Sequence, residues 1–130
     1  MKHEHLFLYG TLRRALGRPM GDFIRARAAF VGEGTIHAAL YDLGHYPGAV
    51  PDPKATVRGE VYALRDPAAV FAELDPYERC GPRDPTPTEY VRGRTQVTLH
   101  EGGTLTAWVY WYNHPLDGAR RIRSGDYVED

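Results

Sequence analysis

Two short segments of this chain carry residue types that could do chemistry together. The first is Tyr9-Gly10-Thr11-Leu12, which follows the apolar run Leu6-Phe7-Leu8. A strand that stops at glycine can bend sharply and expose successive backbone N–H groups, and such groups form a concavity suited to a carboxylate or an oxyanion. An ordinary strand-to-loop turn has the same local sequence, so the segment alone reads either way. The second is Leu74-Asp75-Pro76-Tyr77-Glu78. A carboxylate that follows a helix and sits in a tyrosine-lined pocket acquires a raised pKa and can act as a general base or acid near neutrality. The alternative is a solvated glutamate paired with the adjacent Arg79, which would lower that pKa.

Other candidates carry less. The histidines His3, His5, His37, His45, His100 and His114 show no helical metal spacing, and one cysteine gives no cluster. His3 and His5 could share a strand face, although frayed terminal positions explain them more simply. No metal centre and no cofactor is expected. Cys80 lies beside Arg79, which could favour a reactive thiolate, or it is a bystander thiol. Gly10 stands alone and does not belong to a phosphate-binding loop. The nine tyrosines could stack on nucleobases, but no basic patch accompanies them, which leaves sheet packing as the simpler reading.

The elements that must position these residues follow from periodicity. Leu6–Tyr9 reads as a buried strand ending in a turn. Thr11–Gly17 reads as a loop or short helix, and Met20–Ile24 as one further helical turn. Residues 29–41 are extended, with Gly32 and Gly34 marking a bend or bulge. Gly44, Pro47, Gly48, Pro51 and Pro53 assign residues 43–54 to a loop. Residues 57–64 alternate as a strand. Asp66 caps a helix with Pro67 at its first position and Val70, Phe71 and Leu74 on its apolar stripe; Pro76 ends it near Asp75. Residues 81–87 form a Pro-rich loop, a lid or a plain surface loop. Residues 90–100 and 104–112 pair as strands through Glu101-Gly102-Gly103. Both faces of the second strand are apolar or aromatic, so both meet packing or one lines a cavity. The tail from Asn113 is polar and is expected to be the flexible part of the chain.

Length and composition bound the rest. A chain of 130 residues with 42% hydrophobic and 25% charged residues suits a single domain over residues 1–130. A formal net charge of -1 gives no global field for nucleic acid or an anionic membrane. A single cysteine forms no internal disulfide, the N-terminus lacks the pattern of a signal peptide, and no apolar run approaches the roughly 20 residues of a membrane span. The expectation from these absences is a cytoplasmic protein. The pattern of strands with one good helix favours an α+β fold with a mainly antiparallel, barrel-like sheet.

Taken in order, Tyr9-Gly10-Thr11-Leu12, Leu43-Gly44-His45-Tyr46-Pro47-Gly48, Val57-Arg58-Gly59-Glu60-Val61-Tyr62 and Leu74-Asp75-Pro76-Tyr77-Glu78 resemble the γ-glutamylcyclotransferase-like family. Tyr90-Val91-Arg92, Ala107-Trp108-Val109-Tyr110 and Ile122-Arg123-Ser124-Gly125-Asp126-Tyr127 extend the resemblance over nearly the whole chain. The resemblance implies a small mixed barrel-like sheet with flanking short helices. It implies substrate held by backbone groups of Tyr9, Gly10, Thr11 and Leu12, with Glu78 as proton acceptor and Tyr127 as the match to a substrate-contacting tyrosine near the C-terminal end. The implied partner is a small-molecule γ-glutamyl substrate. The implied reaction is a γ-glutamyl amide or amine cyclotransfer that releases 5-oxoproline; a non-catalytic module binding a small carboxylate in the same cavity is the alternative. Many members have glycine straight after the catalytic glutamate, where this chain has Arg79.

Overall fold

A computed structural model describes residues 4–128. Six strands form one sheet: β1 (Glu4–Leu8), β2 (Ala28–Asp42), β3 (Pro47–Leu64), β4 (Tyr90–Leu99), β5 (Thr104–Tyr112) and β6 (Arg120–Arg121). Their order is β3-β1-β5-β4-β2-β6, and a further β2–β3 pairing closes the first five into a barrel. β1 runs parallel to β5, and every other pairing is antiparallel. The expected mixed, mainly antiparallel barrel is the fold observed. Two helices flank it, α1 (Pro19–Arg25) and α2 (Pro67–Tyr77), and none among the described residues is long and apolar enough to cross a membrane.

The two faces of β5 explain why the barrel has two cores. Ala107 and Val109 point inward with Phe7, Ile36, Val57, Val61 and Val97. Tyr110 and its neighbours Trp108 and Tyr112 point outward, against Leu6, Leu8, Ile24, Val70 and Leu74. The outer cluster therefore clamps both helices to the sheet. Leu74 is fully buried there, which contributes about 2–3 kcal/mol.

Three local readings change. Residues 47–54 are strand, not loop, because β3 begins at Pro47 and pairs with β2 from Asp42↔Pro47 to Ala38↔Pro51. β1 joins β3 only from Glu60 onward, so residues 47–51 lie along a sheet edge, where proline is tolerated. Residues 52–55, including Pro53, fall in the register shift between His37 and Ala38. Second, α2 continues through Pro76 to Tyr77. Third, the tail from Asn113 is docked. β6 pairs with the end of β2, and Ile122 and Asp126 are buried.

Candidate functional site

α2 starts and stops for identifiable reasons, and its stop delivers Glu78. The Asp66 side chain accepts the Ala69 N–H at 3.2 Å, with Pro67 at the first helical position. At the other end the Cys80 N–H donates to the Asp75 carbonyl at 2.9 Å and the Arg79 N–H donates to the Pro76 carbonyl at 3.0 Å. That pair of bonds is a Schellman turn, with Glu78 as the C-cap and Arg79 in the left-handed position at φ 57°. Glycine is the usual occupant of such a position.

The helix end is moored by Asp75. Its carboxylate takes both Nε and Nη2 of Arg92, at 2.9 and 3.1 Å, and accepts the Tyr110 hydroxyl. The Arg92 guanidinium lies 3.9 Å over the Phe71 ring and 4.7 Å over Trp108. Strands β4 and β5 thus fix the turn from which Glu78 projects.

Glu78 lines a cavity of about 210 Å³ with Tyr9, Gly10, Thr11 and Leu12. The two segments singled out in the sequence therefore meet, across 66 residues or more of chain. Gly10 has a packing reason: a Cβ there would come within 2.7 Å of the Pro47 ring. The Tyr9 hydroxyl donates to the Tyr110 carbonyl at 2.7 Å and accepts the Ala49 N–H at 3.1 Å, which fixes the start of the turn. Among the described residues the N–H groups of Gly10, Thr11 and Leu12 have no intramolecular acceptor. The residues that carry them line the same cavity as Glu78.

Glu78 has neither a hydrogen-bond partner nor an ion pair among the described residues. Burial, and then the negative charge of Glu89, raise its pKa from the 4.5 of an ordinary glutamate to about 7. Arg79 borders the same cavity but does not pair with Glu78, so the alternative of an arginine-paired glutamate with a lowered pKa is not the arrangement observed. Burial, Asp75 and Glu78 push the Cys80 thiol up to about 12, so it is no thiolate nucleophile.

Tyr127 is not brought to this cavity. It packs against the barrel interior, and the cavity tyrosines are Tyr9, Tyr46, Tyr77, Tyr90 and Tyr110. No residue of the 81–87 loop lines the cavity either. The sequence reading overlooked Tyr46 and Glu89. Both Glu89 carboxylate oxygens accept the Tyr46 hydroxyl at 2.9 Å, and Tyr90 beside them donates to the Pro47 carbonyl at 2.7 Å. The signal available was Glu89 standing directly before the strand that opens with Tyr90.

Comparison with known proteins decides the family. The family described as gamma-glutamyl cyclotransferase, AIG2-like, matches residues 6–129. This chain belongs to that family. It is 38% identical over 125 residues to the gamma-glutamylcyclotransferase family protein YtfP of Escherichia coli strain K12, covering 95% of this chain and 96% of that one. The solution structure of YtfP from Escherichia coli superposes with a TM-score of 0.67 over 96% of both chains. A crystal structure of an AIG2-like protein from Mus musculus is 28% identical, with a TM-score of 0.68 over 88% of this chain and 82% of that one. A small-molecule site is what membership of this family suggests, and the Glu78 cavity is small enough to be one.

Proposed function

We propose that the chain is a γ-glutamyl amide or amine cyclotransferase, which converts a γ-glutamyl amide into 5-oxoproline and a free amine. The observation that carries this reading is the Glu78 carboxylate: without a counter-ion, with its pKa raised to about 7, it shares a cavity with three unengaged backbone donors. The reaction needs both. The substrate's α-ammonium first gives a proton to Glu78. The freed amine nitrogen attacks the γ-carbonyl carbon of the same molecule, a ring closes, and the carbonyl oxygen becomes an oxyanion. Glu78 then gives that proton to the leaving nitrogen as the C–N bond breaks. Its carboxylate takes the second proton from the positively charged ring nitrogen, leaving the neutral lactam and passing this proton to the departing amine. One group with a pKa near neutrality suits these transfers.

The N–H groups of Gly10, Thr11 and Leu12 supply donors for the oxyanion or for the substrate carboxylate. The attack is intramolecular, so the cavity has mainly to hold the substrate folded. Its volume of about 210 Å³ lies below the roughly 300–1,000 Å³ of sites for drug-sized ligands, which suits a γ-glutamyl group.

The test is 5-oxoproline release from a panel of γ-glutamyl amines and dipeptides by the wild type and by Glu78→Gln. The expected result is turnover of at least one panel member, reduced by about 10²–10⁴-fold in the variant. Full activity in Glu78→Gln would remove Glu78 from the mechanism. Ligand binding without turnover of any member would replace the enzyme with a binding module.

A further inference from the structure

Glu89 is the second carboxylate of the Glu78 cavity. It stands immediately before β4, where its backbone carbonyl accepts the Asn113 N–H at 2.8 Å. Its carboxylate is oriented by a single neutral donor, the Tyr46 hydroxyl, at 2.9 Å from each oxygen. No arginine or lysine pairs with Glu78 or with Glu89 among the described residues. Two half-buried carboxylates without counter-ions in one small cavity repel each other, and a cation between them would relieve that repulsion. A γ-glutamyl compound carries one cation that must come to Glu78, its α-ammonium.

We propose that Glu89 is the ammonium subsite: moored by Tyr46, it binds the substrate's α-ammonium beside Glu78 and holds a negative charge there that keeps the transferred proton on Glu78. This rests on the cyclotransferase reading of the cavity. The electrostatic reach of Glu89 agrees with it, since its charge raises the pKa values of Glu78, Tyr46, Tyr90 and Tyr112 together. The other polar or titratable groups around Glu78 are Tyr9 from β1, Tyr46 from the β2–β3 turn, Tyr77, Arg79 and Cys80 from the end of α2, Tyr90 from β4 and Tyr110 from β5. Burial raises the phenols of Tyr9, Tyr46, Tyr90 and Tyr110 and the Cys80 thiol, so these stay neutral near pH 7. The proton is thus shared between substrate and Glu78, with Glu89 and the Arg79 side chain bordering the same cavity.

The experiment compares two ligands that differ only at the α-amine. γ-Glutamylalanine carries it; glutarylalanine has hydrogen in its place and cannot cyclise. Calorimetry in the Glu78→Gln background, where turnover is suppressed, should show Glu89→Gln weakening γ-glutamylalanine by about tenfold or more. Glutarylalanine should bind Glu89→Gln as well as before or better. In the single variant Glu89→Gln, the Glu78 carboxyl, followed by carbon NMR, should titrate about half a pH unit or more lower. The acid limb of kcat/KM should move with it. Glu89→Asp should restore part of both effects, and Tyr46→Phe, which keeps the charge, should leave the Glu78 titration above the ordinary range. Equal weakening of both ligands, or an unmoved Glu78 titration in Glu89→Gln, overturns the proposal. Normal turnover by Glu89→Gln overturns the subsite and leaves the cyclotransferase reading standing. Absence of 5-oxoproline from the wild type, with the Glu89-dependent preference for γ-glutamylalanine intact, overturns the cyclotransferase and supports the subsite.

Discussion

Residues 9–12 border the Glu78 cavity, yet Arg13, the next residue, belongs to a cluster of the opposite kind. Its Nη1 lies 2.7 Å from Asp126 and its Nε 3.8 Å from Glu60, with all three side chains buried. Arg14 and Arg58 add longer contacts of 3.7 Å to the same two carboxylates. These groups border a depression of about 810 Å³, much larger than the Glu78 cavity. Size alone would favour it as the site. Its buried acids, however, are already answered by arginine, and the cluster joins the β1 loop to β3 and the C-terminal segment. Buried carboxylates with counter-ions hold this molecule together, whereas the half-buried Glu78 has none, and on the proposed reading it exchanges a proton.

The largest effect expected from breaking that contrast is on stability. Arg13→Met should cost about 3–5 kcal/mol, because it leaves Glu60 and Asp126 short of charge in a buried place. Denaturant unfolding measures this, and a loss below about 1 kcal/mol would mean that solvent or the flanking arginines replace Arg13 at little cost. The Glu78 titration should survive wherever the variant remains folded.

Glu78→Gln should act in the opposite direction. With its folded pKa raised from 4.5 to about 7, the native state holds its proton more tightly than the unfolded chain does. Native stability therefore falls as pH rises from about 4.5 to 7, and above 7 the penalty is complete, at most about 3 kcal/mol. The variant should be more stable than the wild type at pH 8 and should lose that advantage by about pH 4. A Glu78→Gln that is no more stable at pH 8 would show that its carboxylate is well solvated.

Asp75 lies three residues from Glu78 on the same turn and is fully engaged, by Arg92 and Tyr110. Tyr110→Phe should cost about 1.5–3 kcal/mol, the worth of a hydrogen bond to a charged group. It should also lower kcat, because the mooring of the Glu78 turn is loosened. Thermal melts and steady-state kinetics together separate the two consequences. Smallest of all, Arg79→Gly should stabilise by up to about 1 kcal/mol, since the left-handed φ of 57° favours glycine. Destabilisation there would show that the Arg79 side chain contributes contacts worth more than its backbone strain.

The same contrast explains what the sequence disclosed. The Tyr9–Leu12 turn and the α2 stop were legible because each is local: a strand ending at glycine, and a capped helix with an apolar stripe. Their meeting was suggested only by the ordered family pattern. The Tyr46–Glu89 pairing was not legible, since it joins residues 43 positions apart; the one local signal was the place of Glu89 directly before the strand that opens with Tyr90. Arg79 misled because adjacency in sequence suggests an ion pair, while the Schellman turn sends successive side chains in different directions. Tyr127 misled because order along the chain does not say which part of a closed barrel a residue reaches. The prolines of residues 47–53 misled because their exclusion from sheets holds for central strands and not for an edge or a bulge.

The central claim is that a carboxylate deprived of a counter-ion is the working base. The wild-type pH profile of kcat/KM for a γ-glutamyl dipeptide tests it most directly, because its acid limb reports the free enzyme's essential base. The account predicts a limb near pH 7, matching the midpoint of the Glu78 carboxyl followed by NMR. A limb near 4.5, or one that persists unchanged in Glu78→Gln, would contradict it.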